Sequence, residues 1–173
     1  MVRPLLLGVL LALAMAAPAV AAPGHHPVNL SFFYPISTNQ DPLVSTNFRL
    51  NILYGRVGAL RGVDISGVAG RVHGDVRGMQ VTGVVSLVHG SVRGFSTAGV
   101  LNYVAQDMRG VQLAALMNYG RGQCFGAQYA GLFNFVEKEF TGVQITSVYN
   151  LANADARYAQ IATVVNAVSG AFT

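Results

Sequence analysis

The chain has 173 residues, 52% of them hydrophobic and only 10% charged, with a formal net charge of +4. This mild balance is compatible with an anionic surface without demanding one and gives no support for a nucleic-acid binder, and the apolar content is high for a soluble protein. A single cysteine, Cys124, excludes an internal disulfide framework, so stability must come from packing and backbone pairing.

The first 21 residues read as a secretory signal. Arg3 provides a short basic start, an apolar run extends from Leu5 to Met15, and small residues from Ala17 to Ala22 predict cleavage after Ala21. Residues 22–45, rich in Pro, Asn, Ser and His, predict an extended arm. Within it Leu30-Ser31-Phe32-Phe33-Tyr34 is suited to an edge strand or a plug for the first repeat. His25 and His26 have no carboxylate or thiol nearby in sequence and read as solvated linker. The rest, 46–173, forms a repeat domain.

The repeat is 16 residues long. After a degenerate opening unit, Thr46 to Arg61, clear units begin at Gly62, Gly78, Gly94, Gly110, Gly126, Gly142 and Tyr158 with no insertion between them. The third place is polar, from Asp64 and Gln80 to Gln112, Gln128, Gln144 and Gln160, and the fourth is β-branched, aliphatic or aromatic. The seventh is always Val or Leu. The ninth changes from Gly70 and Ser86 to Asn102, Asn118, Asn134, Asn150 and Asn166. Turn-like residues such as His73-Gly74-Asp75 come next, then a mostly apolar place that includes Val76, Met108, Cys124 and Phe140.

Recurrent glycine and β-branched residues exclude a helix pair, so each unit predicts strand, turn, shorter strand, turn. Repeats of constant length predict an all-β solenoid with one unit per coil and identical side chains stacked about 4.8 Å apart. In that arrangement the asparagines form a ladder, glycines take positive φ at the corners, and Cys124 is buried filler. With the seventh residue inward, the apolar eighth and tenth places face out and need a partner. The alternative is a small antiparallel β-barrel with one strand per repeat, lying in an outer membrane.

The recurring G-x-Q-x-x-G-x-x-N unit, as in Gly126-Ala127-Gln128 with Gly131 and Asn134, resembles the bacterial surface-repeat proteins built from tandem Gly-x-Gln…Asn units. The opening LNILYGRVGALRGVDISGV resembles their repeat entry, and the likeness runs from about Phe48 to Thr173. It implies an exported, envelope-associated protein. Some members look like lipoproteins, but this chain has no cysteine near the cleavage region.

The most suggestive polar feature is a column of Arg61, Arg77, Arg93 and Arg109, interrupted at Phe125 and Thr141 and resumed at Arg157. Stacked guanidinium groups suit phosphate or carboxylate, and the competing reading is a row of solvated turn residues balanced by Asp75 and Asp107. His73 and His89 are equivalent turn residues in adjacent units. No catalytic triad, phosphate loop or zinc spacing can be assembled, so no catalytic, cofactor or metal residues are expected. The sequence therefore predicts a non-enzymatic exported scaffold at the cell surface, outer membrane or periplasm. Its expected partners are an anionic glycan, the outer-membrane surface, or another copy meeting the apolar stripe or an open edge at Thr173.

Overall fold

The structure, a computed structural model, describes residues 24–38, 41 and 43–173. The signal sequence and its cleavage point lie outside the described residues.

The chain winds as a parallel β-solenoid of about nine turns and is not a barrel. The barrel alternative fails because the repeat strands pair in parallel, each with its counterparts one coil before and after. A typical coil consists of a seven-residue strand, a tight turn, a four-residue strand and a second turn. Strand β6 (Val76–Thr82) is followed by β7 (Val85–Val88), and β8 (Val92–Ala98) by β9 (Leu101–Val104). The pattern continues through β10 (Met108–Ala114), β11 (Met117–Gly120), β12 (Cys124–Ala130), β13 (Phe133–Val136), β14 (Phe140–Thr146) and β15 (Tyr149–Ala152), and closes with β16 (Ala156–Ala162) and β17 (Val165–Val168). The register is strict: Arg77 pairs with Arg93, Gln112 with Gln128 and Asn118 with Asn134.

The first turns depart from this period. Strand β1 (His25–Phe33) runs parallel to β3 (Ser45–Val57), and the short β2 (Ile36–Ser37) folds back antiparallel on β1. The segment read as an arm thus contributes a complete strand to the stack, and His25 Nδ1 lies 3.1 Å from Ser45 Oγ. Strand β3 then pairs with β4 (Ala59–Ser66) across a register shift, and also with β5 (Ala69–Val72).

Two expectations about orientation are corrected. The seventh residue points out: Val68 is 44% exposed and Leu116 43%. It sits in the two-residue turn between long and short strands, where strand alternation does not operate. The inward apolar columns are the eleventh place, with Val72, Val88, Val104 and Val136, and the fifteenth, with Val76, Val92, Met108, Cys124 and Phe140. The positive-φ glycines are not at that corner either. They occupy the first place of the unit, inside the long strands, as at Gly126 with φ 135°. A Cβ there would lie 2.0 Å from the carbonyl oxygen of Gly110 in the preceding coil, so a side chain would force the backbone to shift; in the last coil Tyr158 takes this place with φ 89°.

Candidate functional site

The inward third and ninth places are mostly polar and the fifth holds Ala, Ser or Thr, so half of the core is built around a hydrogen-bonded network. Gln128 Nε2 donates to Gln112 Oε1 at 2.8 Å, Gln144 to Gln128 at 2.8 Å, and Gln160 to Gln144 at 2.6 Å. The asparagines donate the other way along the stack: Asn102 to Asn118 at 3.0 Å, then Asn118 to Asn134, Asn134 to Asn150 and Asn150 to Asn166, each at 2.9 Å. The two rows of amide dipoles therefore oppose one another. Asn102, Asn118, Asn134 and Asn150 each also donate to a carbonyl near the end of the long strand one coil on, as Asn118 does to Tyr129 O at 2.8 Å and Asn134 to Ile145 O at 2.9 Å. Buried amides are tolerated here because nearly all of them find partners. Gln112 Nε2 does not, since Ser96 interrupts the column above it and its hydroxyl donates to Asn102 Oδ1.

At the N-terminal end the ladder finishes on charge. Asp64 takes the glutamine place and accepts from Gln80 Nε2 at 3.0 Å and Ser66 Oγ at 3.0 Å. Arg49 grips both its carboxylate oxygens and donates to Arg71 O at 3.2 Å, with both side chains fully buried. Gly70, where asparagine stands later, leaves the room: a Cβ there would lie 3.0 Å from Arg49 Nη2. Sequence reasoning missed this pair.

With the polar groups turned in, the outer wall is apolar. The second, fourth, seventh and eighth columns present Val111, Tyr129, Leu132, Phe133 and Ile145 among their exposed side chains, and the tenth adds half-buried Leu87, Tyr103, Tyr119, Phe135 and Leu151. Every charged residue after Gly78, from Arg93 to Arg157, falls at the twelfth, thirteenth, fourteenth or sixteenth place of its unit. The rod thus has an apolar edge underlain by amides and a charged edge underlain by the apolar core.

The arginine column lies at the boundary between the two. Arg61, Arg77, Arg93 and Arg109 are exposed and in register. The ion pairs among the described residues are Arg49–Asp64 and Arg121–Glu137, so the column belongs to neither. The aspartates expected to balance it serve the turns instead: Asp75 Oδ1 accepts from Ser91 N–H and Asp107 Oδ1 from Gln123 N–H, both at 3.0 Å. Shallow grooves run beside it, one lined by Arg61, Asp75 and Arg77 and another by Asp107, Arg109, Phe125 and Glu139.

On the opposite boundary the aromatic rings stack. His73 and His89 lie 5.8 Å apart, His89 meets Tyr103 edge-on, and Tyr103, Tyr119 and Phe135 stack with nearly parallel planes at 5.6 and 5.0 Å. The ring faces cover one another, which leaves edges rather than faces outward. The Tyr119 hydroxyl donates to Glu137, and this hydrogen bond, aided by burial, holds its phenol above the usual range. His73 Nε2 is 3.1 Å from the Arg56 guanidinium, a cationic neighbour that disfavours a metal ion. Among the described residues no group of three or more His, Cys, Asp or Glu is arranged to hold one.

Cys124 is buried in the fifteenth column, and desolvation pushes its thiol up to about 12. Native protein is therefore expected to resist alkylation at pH 8 and to react only in denaturant, because the thiolate is the nucleophile. Stability linked to this group is present below the ordinary thiol range and falls as pH rises from there toward about 12, where the unfolded chain releases its proton first. Rapid labelling of the native protein by iodoacetamide would place this column outside the core.

Comparison of the chain with protein-family models, curated proteins and solved structures found no match.

Proposed function

We propose that the chain is an exported, non-enzymatic repeat protein of the bacterial envelope that acts as an interaction scaffold through its outer wall. The observation carrying this reading is the inverted distribution of side chains. Uncharged amides are used up inside, where their donors and acceptors satisfy one another, and continuous apolar columns are left outside. Exposed apolar surface of this extent is a property of proteins that bind something. The signal-like start and the resemblance to bacterial surface-repeat proteins point to the envelope as the place.

The reading is tested by producing the full chain in a Gram-negative host and following it by mass spectrometry through cell fractionation. Protein shortened to a start at Ala22 and recovered with the envelope is the expected result. Full-length protein confined to the cytosol would overturn it.

A further inference from the structure

We infer that the partner of the apolar edge is the interface of a lipid bilayer with anionic phosphate headgroups, the rod lying along the surface with the seventh-place corner immersed and the arginine column at the phosphates. The inference rests on the envelope reading above and names the partner of that same surface.

Shape is the first ground. The apolar columns occupy the long-strand face, the corner and the short-strand face, so they wrap around an edge. A second copy of the chain docking against one face would leave the other face and the corner in water. A fluid acyl phase covers all three. From the second place to the end of the long strand at the fifth is three residue steps, roughly 10 Å at strand rise, with the two-residue corner beyond it, which fits within the about 15 Å of hydrocarbon in one leaflet.

Backbone satisfaction is the second. Hydrocarbon offers no hydrogen bonds, so an immersed turn must satisfy its own peptide groups. At this corner the amides bond to the coil before: Val84 and Val85 N–H donate to Val68 O at 3.0 Å, Leu132 and Phe133 N–H to Leu116 O at 3.0 and 2.9 Å. The inward asparagines reach the same corner from inside through the strand-end carbonyls of Leu113, Tyr129 and Ile145. The charged-edge corner is bonded to the coil before in the same manner, as His89 N–H is to Val72 O and Ala105 N–H to Val88 O, both at 2.9 Å, so this provision permits immersion, and the side chains choose which corner is immersed.

The boundaries are the third. Arginines without carboxylate partners flank the apolar face where headgroup phosphates would lie, and guanidinium pairs with phosphate bidentately. On the other side Tyr103 and Tyr119 straddle the limit, apolar by their rings and polar at the hydroxyl of Tyr119 that meets Glu137, as tyrosines do at membrane interfaces.

The chain contains no tryptophan, so single replacements report position cleanly. Leu116→Trp places the probe at the corner and Ala105→Trp on the charged edge. Each full-length variant is mixed with vesicles of phosphatidylcholine and phosphatidylglycerol, after circular dichroism confirms the β-rich fold. The expected result is a blue shift and quenching by mid-chain brominated lipid for Leu116→Trp, with neither for Ala105→Trp. Both variants share one N-terminus, so only the orientation of the rod separates them. Replacing Arg77, Arg93 and Arg109 together by Ser is expected to weaken binding to these vesicles on the order of 100-fold and to flatten its salt dependence. Equal responses at the two positions would overturn the inference. So would a blue shift of Leu116→Trp without lipid, accompanied by doubled mass, which would assign the edge to a second copy. No response from either probe in a protein that fractionates with the envelope would remove the lipid partner and leave the scaffold reading standing.

Discussion

Replacing Asn134 by alanine is expected to destabilise the chain by roughly 4 kcal/mol, measured by urea denaturation, because it leaves several buried groups short of a partner. Asn134 accepts from Asn118 Nδ2 and donates to Asn150 Oδ1 and Ile145 O, all at 2.9 Å, the two side-chain bonds buried and the one to Ile145 O part-buried. Its removal does more than delete one side chain's contribution, since Asn118 Nδ2 in the preceding coil loses its acceptor, and Asn150 Oδ1 and Ile145 O in the following coil lose their donor. A coupled ladder also makes double replacements non-additive. Replacing Asn118 and Asn134 together by leucine should be less damaging than the sum of the single changes, because the second change removes a partner that the first has already orphaned. Strict additivity would show that the amides act independently and that the ladder is only a geometric regularity. Losses below about 1 kcal/mol for Asn134→Ala would mean that the ninth column is solvated.

The same column shows what a sequence can and cannot convey about this fold. An uninterrupted 16-residue period needs only counting, and the alternation of long and short strand follows from where glycine and turn residues recur. The asparagine places align by that count alone, and the arginine register with them. Inside and outside were harder. An invariant Val or Leu at the seventh place reads as core under the ordinary rule that apolar residues are buried, and here that rule is inverted at one edge. The signal that could have exposed the inversion is the kind of polarity at the third and ninth places. Glutamine and asparagine recur there almost without a charge, as paired amides require, whereas the charged residues gather between the twelfth and sixteenth places. Strand alternation from an inward third place sends the second and fourth outward, and both are apolar. The fate of Asp75 and Asp107 was not legible, because each bonds a backbone amide in the next coil's turn rather than a neighbouring side chain.

Asp64→Gln is expected to remove about 3–5 kcal/mol by leaving the Arg49 guanidinium buried without its counter-charge. The pair lies 15 residues apart in sequence, one short of the repeat, at the place where strand pairing shifts register. No column alignment would have joined these residues, and their ionic geometry holds the opening coils in register against the regular stack. Glutamine at this place matches the column below and can still meet Gln80 Nε2, so the damage should come from Arg49 alone. Adding Arg49→Met should then recover most of the loss, an outcome that a simple packing defect at Asp64 would not produce. Because a solenoid's coils contact mainly their neighbours, the single variant should fray from this end. Hydrogen exchange is expected to accelerate across β1 and β3 through β5 while β12 to β15 keep native protection. Uniform acceleration along the rod would instead show that the coils unfold as one cooperative unit and that the Arg49–Asp64 pair anchors all of them.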